Sequence, residues 1–555
     1  MILTGADIIV KTLIEQGCET VFGYPGGQVI HIYDALYKYQ DELKHVLTAH
    51  EQGASHAADG YARATGKPGV VIATSGPGAT NLVTGIATAF LDSVPMIAIT
   101  GNVMNNQIGT DSFQEIDITG ITLPITKHNY FVGRIEDLAE TIREAFRLAM
   151  SGRPGPVLVD VPKDIQIAKY DYQPRPAVTP DPPRAAKEQR IRAAAECINA
   201  AHRPFLYFGG GLITSGAQEE LLALAEKIDA PLGCSFMGIS GLPTDHPRFL
   251  GMQGMHGHYA CSTAMHHADC IIALGARFND RVTGDRRRFA KGAKLIHIDV
   301  DGSELSKNIM VEHGLRGDVK LTLQGLLELA APAKHPEWSG TVEGFRKEEA
   351  LNEDSRPGLT PRSAMMALNR RLTPDTPVAT DVGQHQMWAA QSLKFSRPRR
   401  FISSGGLGTM GFGMGAAIGA QMATGQRTVL VTGDGSFGMN LNELATAVSH
   451  QVPLVILLLN NGVLGMVRQW QTLFFDKHYS NTILDRKTDF VKLAEAFGAS
   501  GERVDTLEGL DAALGRAFQA KGPYLIDCAV NEDEFVLPML PPGGSMDDII
   551  TKVGD

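Results

Sequence analysis

TVLVTGDGSFGMNLNELATAVSHQVPLVILLLNNGV, residues Thr428 to Val463, decides how the rest of the chain is read. Five apolar or β-branched residues run into Gly433-Asp434-Gly435. A helix-length segment with Leu441, Leu444, Ala445 and Val448 on one face follows, and a second apolar run, Leu454 to Leu459, ends at Asn460-Asn461. The pattern predicts strand, helix, strand. Such a crossover is right-handed and its strands are parallel, so Asp434 and Asn461 both emerge at the carboxyl edge of one sheet, where open α/β sheets bind ligands. The flanking Gly433 and Gly435 let a ligand come close to the backbone. A carboxylate and an amide oxygen suit a hard cation that keeps phosphate and water among its ligands, which describes magnesium. The expected cargo is a diphosphate. A turn with no ligand often produces a bare GDG, but GDG, then 24 residues spanning a helix and a buried strand, then Asn-Asn is far more specific.

The bulk properties set the frame. A length of 555 residues predicts three or four domains. The net charge of -10 comes with no basic block, which disfavours nucleic acid and anionic membrane as partners. Six cysteines without CxxC pairs suggest reduced thiols, no leader pattern follows Met1, and no apolar run reaches the roughly 20 residues of a spanning helix. The expected location is the cytoplasm. Two proline-rich passages, Tyr170 to Arg184 and Ala331 to Pro361, the latter around a short polar helix, divide the chain. Three α/β domains are expected, at 1–170, 188–332 and 358–555, each a doubly wound parallel sheet because strands alternate with helices throughout. The first and third share a similar strand and helix rhythm.

The GDG to Asn-Asn spacing resembles the thiamine-diphosphate motif of the decarboxylase and synthase superfamily. That resemblance implies that Asp434 and Asn461 hold Mg2+ by their side chains and Val463 by its carbonyl oxygen, with Gly433, Gly435 and Ser436 against thiamine diphosphate. A thiamine site also needs a carboxylic acid near the aminopyrimidine ring. In the first block the strand ending at Ala49 leads into His50-Glu51-Gln52-Gly53 and a helix of small residues. A glutamate in a helix's first turn is commonly just stabilised by the macrodipole. Given the diphosphate motif, Glu51 becomes the leading choice for the acid, with a pKa raised by burial between apolar strands. Thr74 to Asn81 (TSGPGATN) either cradles phosphate or simply makes a tight connection, the latter being preferred. Gly23 to Gly27 makes a further strand-to-helix turn, and the strand ending Pro162-Lys163-Asp164 presents a cation at the sheet edge.

HEQGA, IATSGPGATNLVTGI, IGTDSFQE, ITKHNYFV and SGRPGPVLVDVPKDIQ, in this order, look like the catalytic subunit of acetohydroxyacid synthase, also called acetolactate synthase. The likeness runs from about residue 3 to about residue 549. It implies that Glu51 activates the cofactor and that Gly26, Phe113, Gln114 and Lys163 line the reaction pocket from a neighbouring subunit. In the middle block, a strand running into Gly209-Gly210-Gly211 and the acidic Asp299 and Asp301 after a buried strand give only a weak dinucleotide signal. The resemblance of GMHG, GARFNDRVTG and HIDVD to the family's FAD-binding segments strengthens it. By it Gly209, Gly210, Gly211, Met255, His256, Gly257, Gly275, Arg277, Asp299 and Asp301 meet a structural FAD, and Arg277 also favours 2-ketobutyrate as acceptor. Asn279 departs from the family, where many relatives have Asp. In the third block Val382, Gly383, Gln384 and His385 are expected at the diphosphate and thiazolium, with Gly408 and Met410 beside the pyrimidine and Met410 or Val382 as the wedge under the thiazolium. Met466 and Trp470, four apart, share a helix face; such a pair is more often core than pocket, but just past a metal ligand it matches the family's substrate-selecting tryptophan, and the tail EDEFVLPMLPPGGSMDDII resembles the family's closing segment over the site.

The resemblance thus implies a carboligase that decarboxylates pyruvate and adds the resulting carbanion to pyruvate or 2-ketobutyrate, giving 2-acetolactate or 2-aceto-2-hydroxybutyrate in branched-chain amino-acid biosynthesis. A homodimer or homotetramer with the site between subunits and a small regulatory subunit are implied as well. The alternatives are a glyoxylate carboligase or pyruvate oxidase type, the flavin-free acetolactate synthase, or a catalytically silent homologue.

Overall fold

The computed structural model describes residues 1–351 and 356–552. Part of the second proline-rich passage and the last three residues expected in the C-terminal domain lie outside them. Three six-stranded sheets, each parallel throughout, carry the described chain. The N-terminal sheet runs in the order Lys44–Leu47, Thr20–Gly23, Gly69–Ala73, Met96–Asn102, Pro156–Pro162, His128–Phe131. The C-terminal sheet runs Phe401–Ile402, Val378–Thr380, Thr428–Gly433, Leu454–Asn460, Tyr524–Ala529, Ser500–Val504. Numbered within each domain, both orders are 2-1-3-4-6-5. The central sheet has the order 3-2-1-4-5-6 of dinucleotide-binding folds. A short antiparallel pair, Ile2–Thr4 with Lys169–Asp171, ties the chain's start to the end of the first domain.

The two outer domains meet through equivalent helices, each following the second strand of its own sheet. Glu51–Thr65 packs on Phe412–Thr424 with glycine at the crossing. A Cβ on Gly419 would lie 1.8 Å from the carbonyl oxygen of Ala57, one on Gly60 2.2 Å from that of Ala416, and one on Gly415 2.6 Å from that of Gly53. The backbones therefore touch, and only small residues permit it. Both helices are buried almost throughout, so neither shows the one-sided apolar stripe of a surface helix.

Two expectations change here. The helix after Gly433 begins at Asp434 itself and breaks into Asp434–Asn440 and Glu443–Ser449. Leu444 and Ala447 face the core, with Leu441 and Val448 against it, whereas Ala445 is exposed. The polar helix of the second passage, Pro336–Leu351, is 16 residues long and belongs to the central domain's packing. It buries Trp338 and Val342 against Phe205 and Tyr207, and the Trp338 indole N–H donates to the Pro204 carbonyl at 3.1 Å.

Candidate active site

In the C-terminal sheet the first and third strands are neighbours, so Val382-Gly383 and Gly433-Asp434 flank the topological switch point. Asp434 is buried, and burial pushes its carboxyl up to about 6 against the pull of backbone N–H groups from Gly435, Asn461 and Gly462. Those contacts place Asp434 beside the Asn461 turn. The Asn461 amide N–H reaches the Gln384 side-chain oxygen at 3.4 Å, and its own oxygen accepts from the Val463 N–H at 3.2 Å. The Ser436 hydroxyl and His385 Nε2 are buried with no hydrogen-bond partner among the described residues. His385 is held neutral, its pKa driven down to about 3 by burial, and its ring fills the space where Cβ atoms on Gly383 and Gly433 would stand. A buried carboxylate with no cation beside it among the described residues, the side-chain oxygen of Asn461 and two orphaned polar atoms fit a metal-bound diphosphate. Asp434, Asn461 and the Val463 carbonyl would hold the metal, while Ser436 and His385 would gain partners.

One cavity of about 1800 Å³ lies where the three domains meet. Its lining includes Val382, Gly383, Gly408, Met410, Met466 and Trp470 from the C-terminal domain, and Gly210, Gly211, Met255, His256, Gly275, Arg277 and Asp299 from the central one. Pockets for drug-sized ligands span about 300–1,000 Å³, so this space has room for more than one such ligand. In the central sheet Gly209–Gly211 and Gly275 again sit at the switch point. The Gly211 N–H donates to the Gly275 carbonyl at 3.0 Å, so these glycines serve the close approach of two backbones as well as any ligand. Burial raises the Asp299 carboxyl to about 6. Asp301, expected beside it on the flavin, does not line the cavity: it pairs with Arg153 of the N-terminal domain at 3.2 Å. Gly209 and Gly257 are also absent from the lining.

Trp470 is half-buried on the helix Gly465–Phe474, packed edge-on to Phe474 with centroids 5.8 Å apart. The arginine over its ring is Arg281, with the guanidinium carbon 5.7 Å from the ring centroid and Nη1 3.2 Å from the Met255 sulfur. Arg277 instead donates from Nη2 to the Leu91 carbonyl at 2.6 Å. The two arginines stand four apart in GARFNDRVTG; the acceptor role is expected of Arg277, but it is Arg281, on the short helix Asp280–Thr283, that stands at the tryptophan. Asn279 caps that helix, accepting the Val282 N–H at 3.2 Å, a role Asn and Asp share.

The N-terminal residues form a separate group at the carboxyl edge of their own sheet. Lys163 Nζ donates to the Gly27 carbonyl at 3.3 Å, and Gly26 packs on Thr74, within 2.5 Å of a Cβ there. Gln114, at φ 62°, lies over Gly76, and Phe113 is 83% exposed. Glu51 accepts from the Asn81 amide at 3.0 Å, and its other oxygen stands 3.3 Å from a Cβ on Gly78. The glycine-rich turn at 74–81 thus shapes the seat of Glu51 and Gln114. Glu51 is half-buried, not enclosed between apolar strands as its flanking runs suggested. None of Gly26, Glu51, Phe113, Gln114 and Lys163 lines the large cavity.

Sequence reasoning missed Glu443, whose side chain is fully buried against the first turn of the Glu51 helix. One oxygen accepts from the Ala49 N–H and the Thr446 hydroxyl at 3.2 and 2.6 Å; the other has no partner among the described residues. It would clash with any Cβ on Gly53. No local signal marks a contact between residues so far apart in the chain.

Three family models match: the N-terminal TPP binding domain of thiamine pyrophosphate enzymes at residues 3–121, their central domain at 191–326 and their C-terminal TPP binding domain at 381–528. The acetolactate synthase isozyme 2 large subunit of Escherichia coli K12 is 46% identical, over 99% of this chain and all of that protein. The acetolactate synthase large subunit of Corynebacterium glutamicum is 45% identical over 100% of this chain and 91% of its own length, and a probable acetolactate synthase large subunit of Methanocaldococcus jannaschii 45% over 99% and 96%. With such similarity from end to end, this chain belongs to the acetolactate synthase large-subunit family of thiamine pyrophosphate enzymes.

Proposed function

We propose that the protein catalyses decarboxylation of pyruvate and condensation of the remaining two-carbon unit with a second 2-keto acid, pyruvate or 2-ketobutyrate, to give 2-acetolactate or 2-aceto-2-hydroxybutyrate, the first common step of branched-chain amino-acid biosynthesis. The observation that carries this is the pairing of full-length similarity to acetolactate synthases with a half-buried tryptophan and an arginine at the wall of the interdomain cavity. The other thiamine enzymes and the silent homologue are not favoured: the relatives share one activity by name, and Glu51, Asp434 and Asn461 are all present.

Thiamine diphosphate, when bound, supplies the nucleophilic carbon and the electron sink for decarboxylation. Asp434, Asn461 and the Val463 carbonyl would hold Mg2+ against its diphosphate, which Val382, Gly383, Gln384, His385, Gly433, Gly435 and Ser436 would surround. Glu51 would hold and return a proton through a carboxyl oxygen at the ring nitrogen of the aminopyrimidine, kept in place by Asn81. Gly408 and Met410 would face that ring, with Met410 or Val382 under the thiazolium. The Met410 methyl lies within 4.0 Å of a Cβ on Gly435, near the diphosphate end. Trp470 and Met466 would shape the acceptor's pocket, and Arg281, over the tryptophan, would orient its carboxylate. Gly210, Gly211, Met255, His256, Gly275, Arg277 and Asp299 would line FAD, supported by Gly209 and Gly257, with Asp301 acting through its pair with Arg153.

Because the Glu51 group and the cavity form separate clusters within one chain, the complete site would lie between two copies, in a homodimer or homotetramer. The exposed Phe113 and the half-buried Lys163 would then reach a neighbour's cavity. A small regulatory subunit is proposed by analogy with the relatives, which are named as large subunits. No described helix is long and apolar enough to cross a membrane; a cytoplasmic location is part of the same proposal, and the acidic net charge disfavours nucleic acid as a partner. The test is to supply the purified protein with thiamine diphosphate, magnesium, FAD and pyruvate, with and without 2-ketobutyrate, and identify products by mass. Acetolactate alone, and mainly acetohydroxybutyrate with both substrates, is expected; acetaldehyde or acetate would refute the assignment.

A further inference from the structure

The segment Ser404 to Gly411 carries Gly408 and Met410, and Gly405 to Gly408 are exposed. So glycine-rich a stretch has little intrinsic preference for one conformation. Its far end is pinned from its own domain: the Asp381 carboxylate, buried and pushed up to about 6 by that burial, accepts the N–H groups of Val382, Gly411 and Gly413 at 2.8, 2.8 and 3.2 Å. Its near end is pinned from the N-terminal domain. Asp92, the last residue of the helix Val83–Asp92, accepts the Gly405 N–H at 3.0 Å on one oxygen and the Gly406 N–H at 2.7 Å on the other. A Cβ on Gly406 would stand 2.7 Å from that second oxygen, so the fit leaves no room for a side chain.

The Asp92 side chain is 0% exposed, and its charge is matched by Arg63, whose Nη2 lies 2.9 Å away. Arg63 also pairs with Asp59 and donates from Nη1 to the Ser403 carbonyl at 2.8 Å. One helix turn before Asp92, the Thr88 and Thr409 hydroxyls meet at 2.7 Å. A single helix end therefore grips the glycine segment at Gly405, Gly406 and Thr409. Hydrogen bonds from backbone N–H groups to a buried carboxylate are among the stronger ones, and here they span two domains.

We propose that Asp92 is a positioning residue for the carboligation reaction: bridging Arg63 to the Gly405 and Gly406 N–H groups, it holds the Ser404–Gly411 segment in the shape that presents Gly408 and Met410 to thiamine diphosphate. The proposal rests on the reading above that this segment meets the cofactor. Asp92 touches no reacting atom, so its loss weakens cofactor binding and leaves chemistry at saturating cofactor nearly intact.

The test uses the purified full chain with FAD and magnesium, titrated with thiamine diphosphate and separately with pyruvate. Asp92→Ala is expected to raise the KM for thiamine diphosphate at least tenfold, with kcat at saturating cofactor within about threefold of wild type and the KM for pyruvate unchanged. Asp92→Asn, which keeps one acceptor oxygen, falls between. A purely structural role would lower kcat and thermal stability together and leave every KM in place, and that result overturns the proposal. If Asp92→Ala does not fold, Asp92→Asn and Thr88→Val carry the same comparison, each with a raised KM for the cofactor alone. Met410→Ala separates the two layers of argument. If it leaves cofactor KM unchanged, the segment does not meet the cofactor and the underlying reading fails; if it raises that KM while the Asp92 and Thr88 variants do not, the positioning role fails.

Discussion

Gly419→Ala tests the crossing of the two equivalent helices. The new Cβ would stand 1.8 Å from the Ala57 carbonyl oxygen, about 1.6 Å short of ordinary contact. The obstacle is main chain inside a helix, so no side chain can swing aside and the helices must separate. Overpacking of a tight core costs about 1–3 kcal/mol, and a rigid backbone clash belongs at the upper end. Replacing a helical glycine by alanine returns about 1 kcal/mol in propensity. The net loss is about 2 kcal/mol, equivalent to about 4–8 °C in melting temperature for a domain of this size. Displacement of the helix that begins at Glu51 by an ångström also costs on the order of 100-fold in turnover. Differential scanning calorimetry and the pyruvate assay read the two effects. Gly344→Ala serves as control: it too lies in a helix, nothing stands within 4 Å of its added Cβ, and it should be neutral or slightly stabilising. A Gly419→Ala protein that melts within 1 °C of wild type at full activity would refute the close-contact argument.

Glu51→Gln keeps the hydrogen bond to Asn81 and removes the exchangeable proton; carboligation should be lost while thiamine diphosphate binding, measured by calorimetry, stays largely intact. Trp470→Leu should shift the product ratio in mixed pyruvate and 2-ketobutyrate toward acetolactate, and Arg281→Lys should do so in the same direction while Arg277→Lys does not; mass spectrometry of the mixture decides. His56 is wholly buried with both ring nitrogens unpartnered among the described residues, and burial drives its pKa down to about 3. Because the unfolded imidazole binds a proton near pH 6.5 and the folded one does not, its stability contribution is complete above that pH and falls as pH drops, by about 1.4 kcal/mol at pH 5.5. The melting temperature of His56→Gln should therefore decline less than that of wild type between pH 7 and pH 5.5, and parallel curves would contradict the assignment.

Much of this was legible in residue order because it depends on local pattern. Apolar runs ending at Gly433 and Asn460 mark strand ends, the one ending at Ala49 overshoots its strand, Lys44–Leu47, by two residues, and parallel topology then sends Asp434, Asn461 and Glu51 to carboxyl edges. What sequence could not supply were relations set by packing. GARFNDRVTG contains two arginines, and which one faces Trp470 depends on a four-residue helix too short to leave a periodicity. Ala445 and Ala447 are equally small, so the inward face of their helix was ambiguous once the preceding helix had begun at Asp434. Glu443 against Gly53, Asp92 against Gly405 and Arg153 against Asp301 each join distant parts of the chain, and a polar residue's partner at that range has no signature along the sequence.

The matching strand order of the outer domains, and the meeting of their equivalent helices, has a consequence for how the chain can be divided. Glu51–Thr65 and Phe412–Thr424 hold equivalent places in their two sheets and cover each other along their small-residue faces. Each outer domain therefore covers a helix face of the other that water would otherwise reach. Severing the linkers should not release tidy modules. Each outer domain alone would bare a flat, glycine-lined face made to be covered, and would re-pair with its counterpart, with itself, or with other exposed chains.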